Sequence, residues 1–226
     1  MKYFGEGLSE LHKDLNKLIG KRSSFGEAME LFLELHSALH LSAVTGGVPN
    51  EVDALFCDLM PEEAAAMPEK KGETINWALW HIARIEDITM NMLVAQKKQV
   101  FTKSMQHKIN SPITDTGNAL TQDEIRSFSS QVHLAALIAY WNTVALRTRD
   151  IVLSLTDDDM KRPVDKTDLD AVLEAGGVTR QQDSVWLLDY WGGKDVAGLL
   201  LMPPTRHLML HLNDCCKWKM MLRKGK

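Results

Sequence analysis

The stretch Pro203-Pro204-Thr205-Arg206-His207-Leu208-Met209-Leu210-His211-Leu212-Asn213-Asp214 joins a helix-start signal to two histidines four residues apart. Residues four apart on an α-helix project within about 40° of each other, one turn apart, so the imidazoles of His207 and His211 can share one cation. Proline is excluded from a helix interior but suits its first turn, which places the pair near a helix start. The stretch therefore predicts a helix that carries part of a metal site.

A third metal ligand is predicted on another helix. The segment Trp77-Ala78-Leu79-Trp80-His81-Ile82-Ala83-Arg84-Ile85-Glu86-Asp87 contains His81. Three neutral imidazoles with open remaining positions are typical of catalytic zinc, and imidazole also suits nickel, iron and copper. The alternative is that each histidine only packs or faces water, because a four-residue histidine spacing also arises by chance.

Helical periodicity runs through the chain, and we find no alternating β-branched runs that would predict strands. A short helix is predicted at 8–19, and four long ones at 26–43, 74–96, 125–155 and, in two parts, 186–191 and 206–222. The segments between them are predicted to be a loop at 61–72, a long connection at 97–121 and an aperiodic insert at 166–183. This pattern predicts an all-α four-helix bundle with a long crossover connection. We expect a single domain over 1–226, in which 1–25 is an N-terminal extension.

Composition excludes several classes of protein. The 226 residues carry a formal charge of −4, which argues against a nucleic-acid partner. No apolar run is long enough to span a membrane and we see no signal peptide, so we expect a cytoplasmic protein. Cys57, Cys215 and Cys216 form no disulfide framework. Cys215 lies one turn beyond His211, as either an extra soft ligand or a buried small hydrophobe.

Several side chains are candidates for the surroundings of the metal. His36 and His40 form a second pair at the same spacing, and either pack or act as a proton shuttle or substrate contact. Asp214 either orients an imidazole or solvates its helix face. Trp77 and Trp80 either wall an apolar pocket over the metal or belong to the core.

The remaining charged and histidine residues are given structural interpretations. Glu86 and Asp87 follow His81 by five and six positions, so they point elsewhere and are predicted to be helix-surface charges. His12, His107 and His133 have no partner at a useful spacing, and we assign them to the surface or the core.

Two motifs resemble those of the DinB-like superfamily, the metal-binding four-helix bundles that include YfiT-like proteins. Asn76-Trp77-Ala78-Leu79-Trp80-His81-Ile82-Ala83-Arg84-Ile85-Glu86-Asp87 resembles the signature of the second helix, with its single metal histidine. Arg206-His207-Leu208-Met209-Leu210-His211-Leu212-Asn213 resembles the histidine pair of the final helix. The resemblance covers most of the chain from about Gly26 onward, while 1–25 and 166–183 are less typical.

The resemblance implies that His81, His207 and His211 bind zinc, nickel or a similar ion in a bundle that often forms a homodimer. Some relatives are thiol-dependent transferases or isomerases, and many members have no assigned reaction. The leading hypothesis is therefore a metal-dependent enzyme that transfers or activates a low-molecular-weight thiol towards a small-molecule substrate. Two alternatives are a non-catalytic metal-binding or regulatory interaction module, and a metal-assisted hydrolase whose base is Asp214, His36 or His40.

Overall fold

The computed structural model describes residues 4–69 and 72–224, which contain helices and no β-strand. The α-helices are, in chain order, α1 (Leu8–Leu18), α2 (Phe25–Ala38), α3 (Glu51–Phe56), α4 (Pro61–Ala65), α5 (Ile75–Asp87), α6 (Lys103–Ile109), α7 (Gln122–Gln131), α8 (Leu134–Ser154), α9 (Lys166–Glu174), α10 (Gln182–Gly192), α11 (Val196–Leu200) and α12 (Leu208–Lys224). Short 3-10 turns lie at Arg22–Ser24, Ser42–Val44 and Asp159–Lys161. The prediction of an all-α fold is confirmed.

Helix α5 lies at the centre of the molecule. Every residue from Ile75 to Asp87 is buried, because α4, α7, α8 and α12 all pack around it. Helix α2 packs on α8 and on the segment that leads into α12. The four predicted long helices therefore correspond to α2, α5, α8 and α12, with α5 enclosed on all sides.

Two wider helical turns of the π type adjoin these helices. Ile88–Val94 continues α5, and Met202–His207 leads directly into α12. Pro203 and Pro204 occupy the first turn of the second segment, where their missing N–H groups break no helical hydrogen bond. His207 therefore ends a π turn and His211 lies in the first turn of α12, as the proline pair predicted.

The prediction of one continuous helix over 125–155 is wrong. The chain breaks between α7 and α8, where the N–H of His133 donates to the carbonyl of Ile109 at 2.8 Å. The apolar periodicity continues across this break, which is why it could not reveal the change in direction. A capping box begins α7, since Glu124 accepts from the N–H of Thr121 at 2.7 Å.

The predicted end of the first long helix is too late by five residues. Helix α2 ends at Ala38, where the Asn50 side chain donates to the carbonyls of Ser37 (3.1 Å) and His40 (2.8 Å). The amide of Asn50 therefore satisfies free carbonyls at the end of α2. No sequence signal at residues 38–43 predicts this helix end.

Segments predicted to be irregular contain short helices. Helix α4 lies in the predicted loop 61–72, of which residues 70 and 71 are outside the described residues. Helix α6 lies in the long connection, α9 in the insert 166–183, and α11 before the prolines. Each has fewer than ten residues, too few for periodicity to distinguish it from a loop.

The assignment of Glu86 and Asp87 to the helix surface is wrong, because both are fully buried. The Asp87 carboxylate accepts from the Tyr140 hydroxyl (2.7 Å), from Arg84 (3.2 Å) and from the N–H of Phe101 (2.8 Å). Such bonds compensate for the cost of taking a carboxylate out of water. This network fixes α5 against α8 and the chain that follows α5.

None of the helices in the described ranges combines the length and apolarity that crossing a membrane requires.

Candidate metal centre

His81 projects from the middle of α5 in a defined tautomer. Its Nδ1–H donates to the carbonyl of Thr116 at 2.9 Å, because a carbonyl can only accept, and this leaves the lone pair of Nε2 free. Burial lowers the pKa of His81 to about 3, with a further contribution from the charge that His211 would carry. The ring is therefore neutral at ordinary pH, the form that binds metals.

His207 and His211 approach His81 from the start of α12. The Nε2 atoms of His81 and His207 are 3.2 Å apart, and one nitrogen from each of the three rings lies within 4.8 Å of the others. The ring planes are tilted by 59° to 71°, so their edges converge. The structure thus brings together the three histidines predicted as ligands.

The donor set fits a divalent ion. Burial lowers the pKa of His211 to about 4 and that of His207 well below its usual value, which keeps both rings neutral. The Nδ1 atoms of both are buried without a partner, so neither ring is anchored by a protein hydrogen bond through that atom. Two nitrogens at about 2.0–2.1 Å from one ion would stand about 3–3.4 Å apart, which includes the separation of His81 and His207.

A row of backbone carbonyls orients one side of α5. Four α5 side chains, Trp77, Trp80, His81 and Arg84, each donate one N–H to a carbonyl of residues 114–117, which we call the carbonyl ladder. The acceptors are the carbonyls of Gly117 (3.1 Å), Asp115 (2.9 Å), Thr116 (2.9 Å) and Thr114 (2.9 Å), respectively. The orientation of His81 is therefore set by a loop that also holds its helical neighbours.

The segment after α9 supports the carbonyl ladder. The carbonyl of Gly177 accepts from the N–H of Thr116 at 3.2 Å, and that of Gly176 accepts from the Thr114 hydroxyl at 3.0 Å. Gly176 has φ of +70°, and a Cβ there would lie 2.9 Å from the Thr114 hydroxyl. The predicted insert 166–183 thus holds the loop that orients His81.

The two candidate tryptophans occupy different places. The Trp77 ring stacks on His81 with centroids 4.7 Å apart and planes 9° apart, and meets the His211 ring edge-on at 6.0 Å. Trp80 packs instead among the rings of Phe101 and Tyr140. Trp77 is therefore a wall of the histidine cluster, whereas Trp80 belongs to the aromatic core.

A cavity of about 230 Å³ lies against His81 and His207. Helix α10 supplies its aromatic walls, which include Trp186, Tyr190 and Trp191. The sequence predicted a helix at 186–191, but nothing in it indicated that the aromatic side chains of α10 line a cavity. No sequence signal marked the carbonyl ladder, because backbone carbonyls carry no residue identity.

His36, His40 and Glu86 form a second buried cluster, separate from the first. Glu86 follows His81 by five residues, which is about 140° around α5, so the two clusters lie on different faces of this helix. His36 Nε2 lies 3.0 Å from one Glu86 oxygen and His40 Nε2 lies 3.1 Å from the other. The Thr148 hydroxyl donates to the first oxygen at 2.7 Å.

Hydrogen bonding fixes the proton count of this second cluster. His40 Nδ1 donates to the carbonyl of His36 at 2.9 Å, so its Nε2 and the Glu86 carboxylate must share one further proton. Burial alone would raise the pKa of Glu86, but the charge of His40 and hydrogen bonds from both histidines outweigh it and lower this pKa. Burial lowers the pKa of His36 to about 4, which keeps His36 neutral.

Asp214 and Cys215 do not join the three histidines. The charged neighbours of Asp214 include Lys217, Glu69 and Glu73, and its pKa is raised mainly by partial burial. It bonds neither His207 Nδ1 nor His211 Nδ1, since both atoms lack a partner. Cys215 is buried, and burial raises the pKa of its thiol well above the usual value, as expected for a small core side chain.

The fold and the three convergent histidines define a helical bundle with a candidate metal centre. A model of the DinB superfamily matches residues 47–182, which is more than half of the chain. The chain therefore belongs to the DinB superfamily, and the predicted resemblance is confirmed. The match includes His81 and the carbonyl ladder, while His207 and His211 follow it in the chain. Among curated proteins, none matches this sequence.

Proposed function

We propose that the protein is a metal-dependent enzyme that binds a divalent ion through His81, His207 and His211 and transfers a small thiol to an electrophile. The observation that carries this proposal is the convergence of three neutral imidazoles beside a cavity. A structural zinc site is usually closed by four protein ligands, whereas a catalytic site has three and keeps a position open. Three histidines with space beside them fit the second description.

A divalent ion held by these histidines would lower the pKa of a coordinated thiol and so supply a thiolate at neutral pH. The protein's own contribution is orientation and the exclusion of water. The carbonyl of Thr116 keeps the His81 lone pair directed at the other two rings, and Trp77 covers one face of His81. In the displacement that we propose, the thiol sulfur bonds to the electrophilic carbon, the leaving group departs with its electron pair, and the thiol proton passes to solvent.

The cavity walls favour thiol transfer over hydrolysis. Many metal-assisted hydrolases combine the ion with a general base within reach of the attacking water. Among the described residues that line the cavity, none carries a carboxylate. His36 and His40 are bonded to Glu86 in the second cluster, and Asp214 lies beside Lys217 and Glu69. A thiol that is activated by the ion requires no such base.

Elemental analysis of tag-free protein tests the first part of the proposal. We expect about one equivalent of zinc or nickel in the wild type and none in His207→Ala. The matched control is His107→Ala, which removes an exposed histidine and should retain the metal. If the wild type stays metal-free after incubation with zinc, nickel and cobalt, the proposal fails.

Cobalt substitution then distinguishes an enzyme from a binding module. Addition of 2-mercaptoethanol to the cobalt protein should produce a thiolate-to-cobalt charge-transfer band in the near ultraviolet if a coordination position is open. A spectrum that does not respond to the thiol would indicate a closed site and favour the non-catalytic module.

A further inference from the structure

The imidazoles of His81 and His207 form one end of the cavity, and the polar groups elsewhere in its walls include the amide of Asn118 and the phenol of Tyr190. Its remaining walls come from Ile85 of α5, Leu187 of α10 and Met202 of the π turn, together with tryptophans of α10. None of the described residues that line it has a charged side chain. Away from the two histidines, a charged group that entered would lose its hydration without gaining a partner of opposite charge in the wall, which is costly.

Asn118 supplies a hydrogen-bond donor at the wall of the cavity. Its side-chain oxygen accepts from the Thr116 hydroxyl at 2.8 Å, which fixes the amide and leaves its two N–H donors for a ligand. Thr116 also supplies the carbonyl that orients His81. The polar contact and the metal ligand are therefore positioned by the same residue.

Two aromatic rings of α10 flank the cavity. Trp186 is 47% exposed although it is a large hydrophobic side chain, and it meets the Tyr190 ring edge-on at 6.0 Å. Both rings line the cavity, so a flat ligand could cover the exposed apolar surface of Trp186. Lys194 lies over the Tyr190 ring, 4.7 Å from its centroid, but does not line the cavity.

We infer that the electrophile of this site is a small uncharged aromatic compound that carries a single hydrogen-bond acceptor for Asn118. This inference rests on the proposed function, because it assigns the cavity to the molecule that receives the thiol. A cavity of about 150 Å³ holds benzene. The observed volume of about 230 Å³ therefore admits a substituted benzene ring.

Benzamide and benzoate form a matched pair of probes, because they share one shape and differ in charge. We use metal-free protein, so that the benzoate carboxylate cannot gain affinity by binding an ion. Isothermal titration should give saturable 1:1 binding of benzamide with a Kd on the order of 1 mM, as expected for a fragment of this size. Benzoate should bind at least 10-fold more weakly.

Three variants locate this binding. Trp186→Ala should weaken benzamide binding about 10-fold by removing a ring from the cavity wall, and Asn118→Leu should weaken it to a similar degree by removing the donor. The matched control is Leu153→Ala, which truncates another exposed hydrophobic side chain, on α8, and should leave the Kd unchanged. Circular dichroism confirms that each variant is folded.

Equal binding of benzoate and benzamide would overturn the inference, as would absence of benzamide binding at 10 mM or equal effects of Trp186→Ala and Leu153→Ala. The proposed function fails on a different measurement, the metal content of the reconstituted protein. If benzamide binds selectively but no metal is taken up, the proposed function is rejected and the role of the cavity as an electrophile site is rejected with it.

Discussion

The two histidine pairs of this protein have the same four-residue spacing but different ring geometry. His207 and His211 are tilted by 71°, and their edges converge with that of His81. His36 and His40 are stacked 4.0 Å apart with planes only 26° apart. Both Nε2 atoms face Glu86, and each meets a different oxygen of its carboxylate.

What differs between the two pairs is the partner on α5, and not the spacing, although either set of three side chains is close enough to hold an ion. His81 presents a lone pair, which only a shared cation or a single N–H can satisfy. Glu86 presents two oxygens, which two N–H groups satisfy without an ion. We therefore expect a metal at the first pair and a shared proton at the second.

The largest effect is expected on metal affinity. Loss of one of three ligands should remove about a third of a zinc-binding free energy of about 10–16 kcal/mol, which is roughly a 1000-fold loss of affinity. We expect this for His81→Ala and not for His40→Ala, as measured by competition with a chromogenic chelator. A loss of similar size in His40→Ala would mean that the second cluster also binds the ion.

The next effect is on folding stability. Glu86→Gln removes the carboxylate that both His36 and His40 bond, and should lower the free energy of unfolding by about 3 kcal/mol, the scale for breaking a buried ion pair. Urea denaturation measures this change, and metal content should remain at the wild-type level. Glu34→Gln, which changes an exposed glutamate of α2, is the control and should unfold like the wild type. If Glu86→Gln and Glu34→Gln are equally stable, the bonds between Glu86 and its two histidines do not stabilise the fold.

The pH dependence of stability should contain a contribution from His36. Burial lowers its pKa from 6.5 to about 4, so the unfolded chain binds a proton first as the pH falls. The contribution of neutral His36 to the free energy of unfolding is fully present above about pH 6.5. It is lost as the pH falls to 4, and the total loss is about 3 kcal/mol. In a His207→Ala background, which removes metal binding, His36→Gln should make the fall in stability between pH 6.5 and 4 shallower. If the free energy of unfolding has the same slope against pH with and without His36, burial does not lower the pKa of His36.

The smallest effect is expected in the carbonyl ladder. Gly117 has φ of +76°, and a Cβ there would lie 2.9 Å from Trp77 Nε1, the atom that donates to its own carbonyl. Gly117→Ala should therefore displace the loop and weaken metal binding about 10-fold through the Thr116 carbonyl, as for other partners of metal-bound histidines. Gly46→Ala is the matched control, since Gly46 also has positive φ but no atom within 4 Å of its added Cβ. Equal metal affinities in the two variants would show that the loop does not affect metal binding.

The helices that carry the candidate metal ligands could be predicted because their signals are local. The apolar repeat around His81 recurs every three to four residues, and the proline pair lies about one turn before His207. The buried charges of α5 could not be predicted in this way. Glu86 and Asp87 look like surface residues until Thr148 and Tyr140 of α8 are known to bond them.

The break between α7 and α8 shows the same limit for the fold. It depends on a bond between His133 and Ile109, which are separated by 24 positions, and the local apolar pattern continues through it. The role of residues 166–183 was likewise hidden, because Gly176 and Gly177 act through backbone carbonyls on a distant loop.

The two sides of the carbonyl ladder should differ in how many substitutions they tolerate. On α5 the donors are side chains, so Trp77, Trp80, His81 and Arg84 have few possible replacements. On the loop the acceptors are main-chain oxygens, which nearly every residue type supplies, so substitutions at 114–116 keep these acceptors even where they remove the hydroxyl bonds of Thr114 and Thr116. A saturation mutagenesis map of this protein should therefore show a stronger signal at the α5 donors, which include the candidate metal ligand His81, than at the loop that orients it.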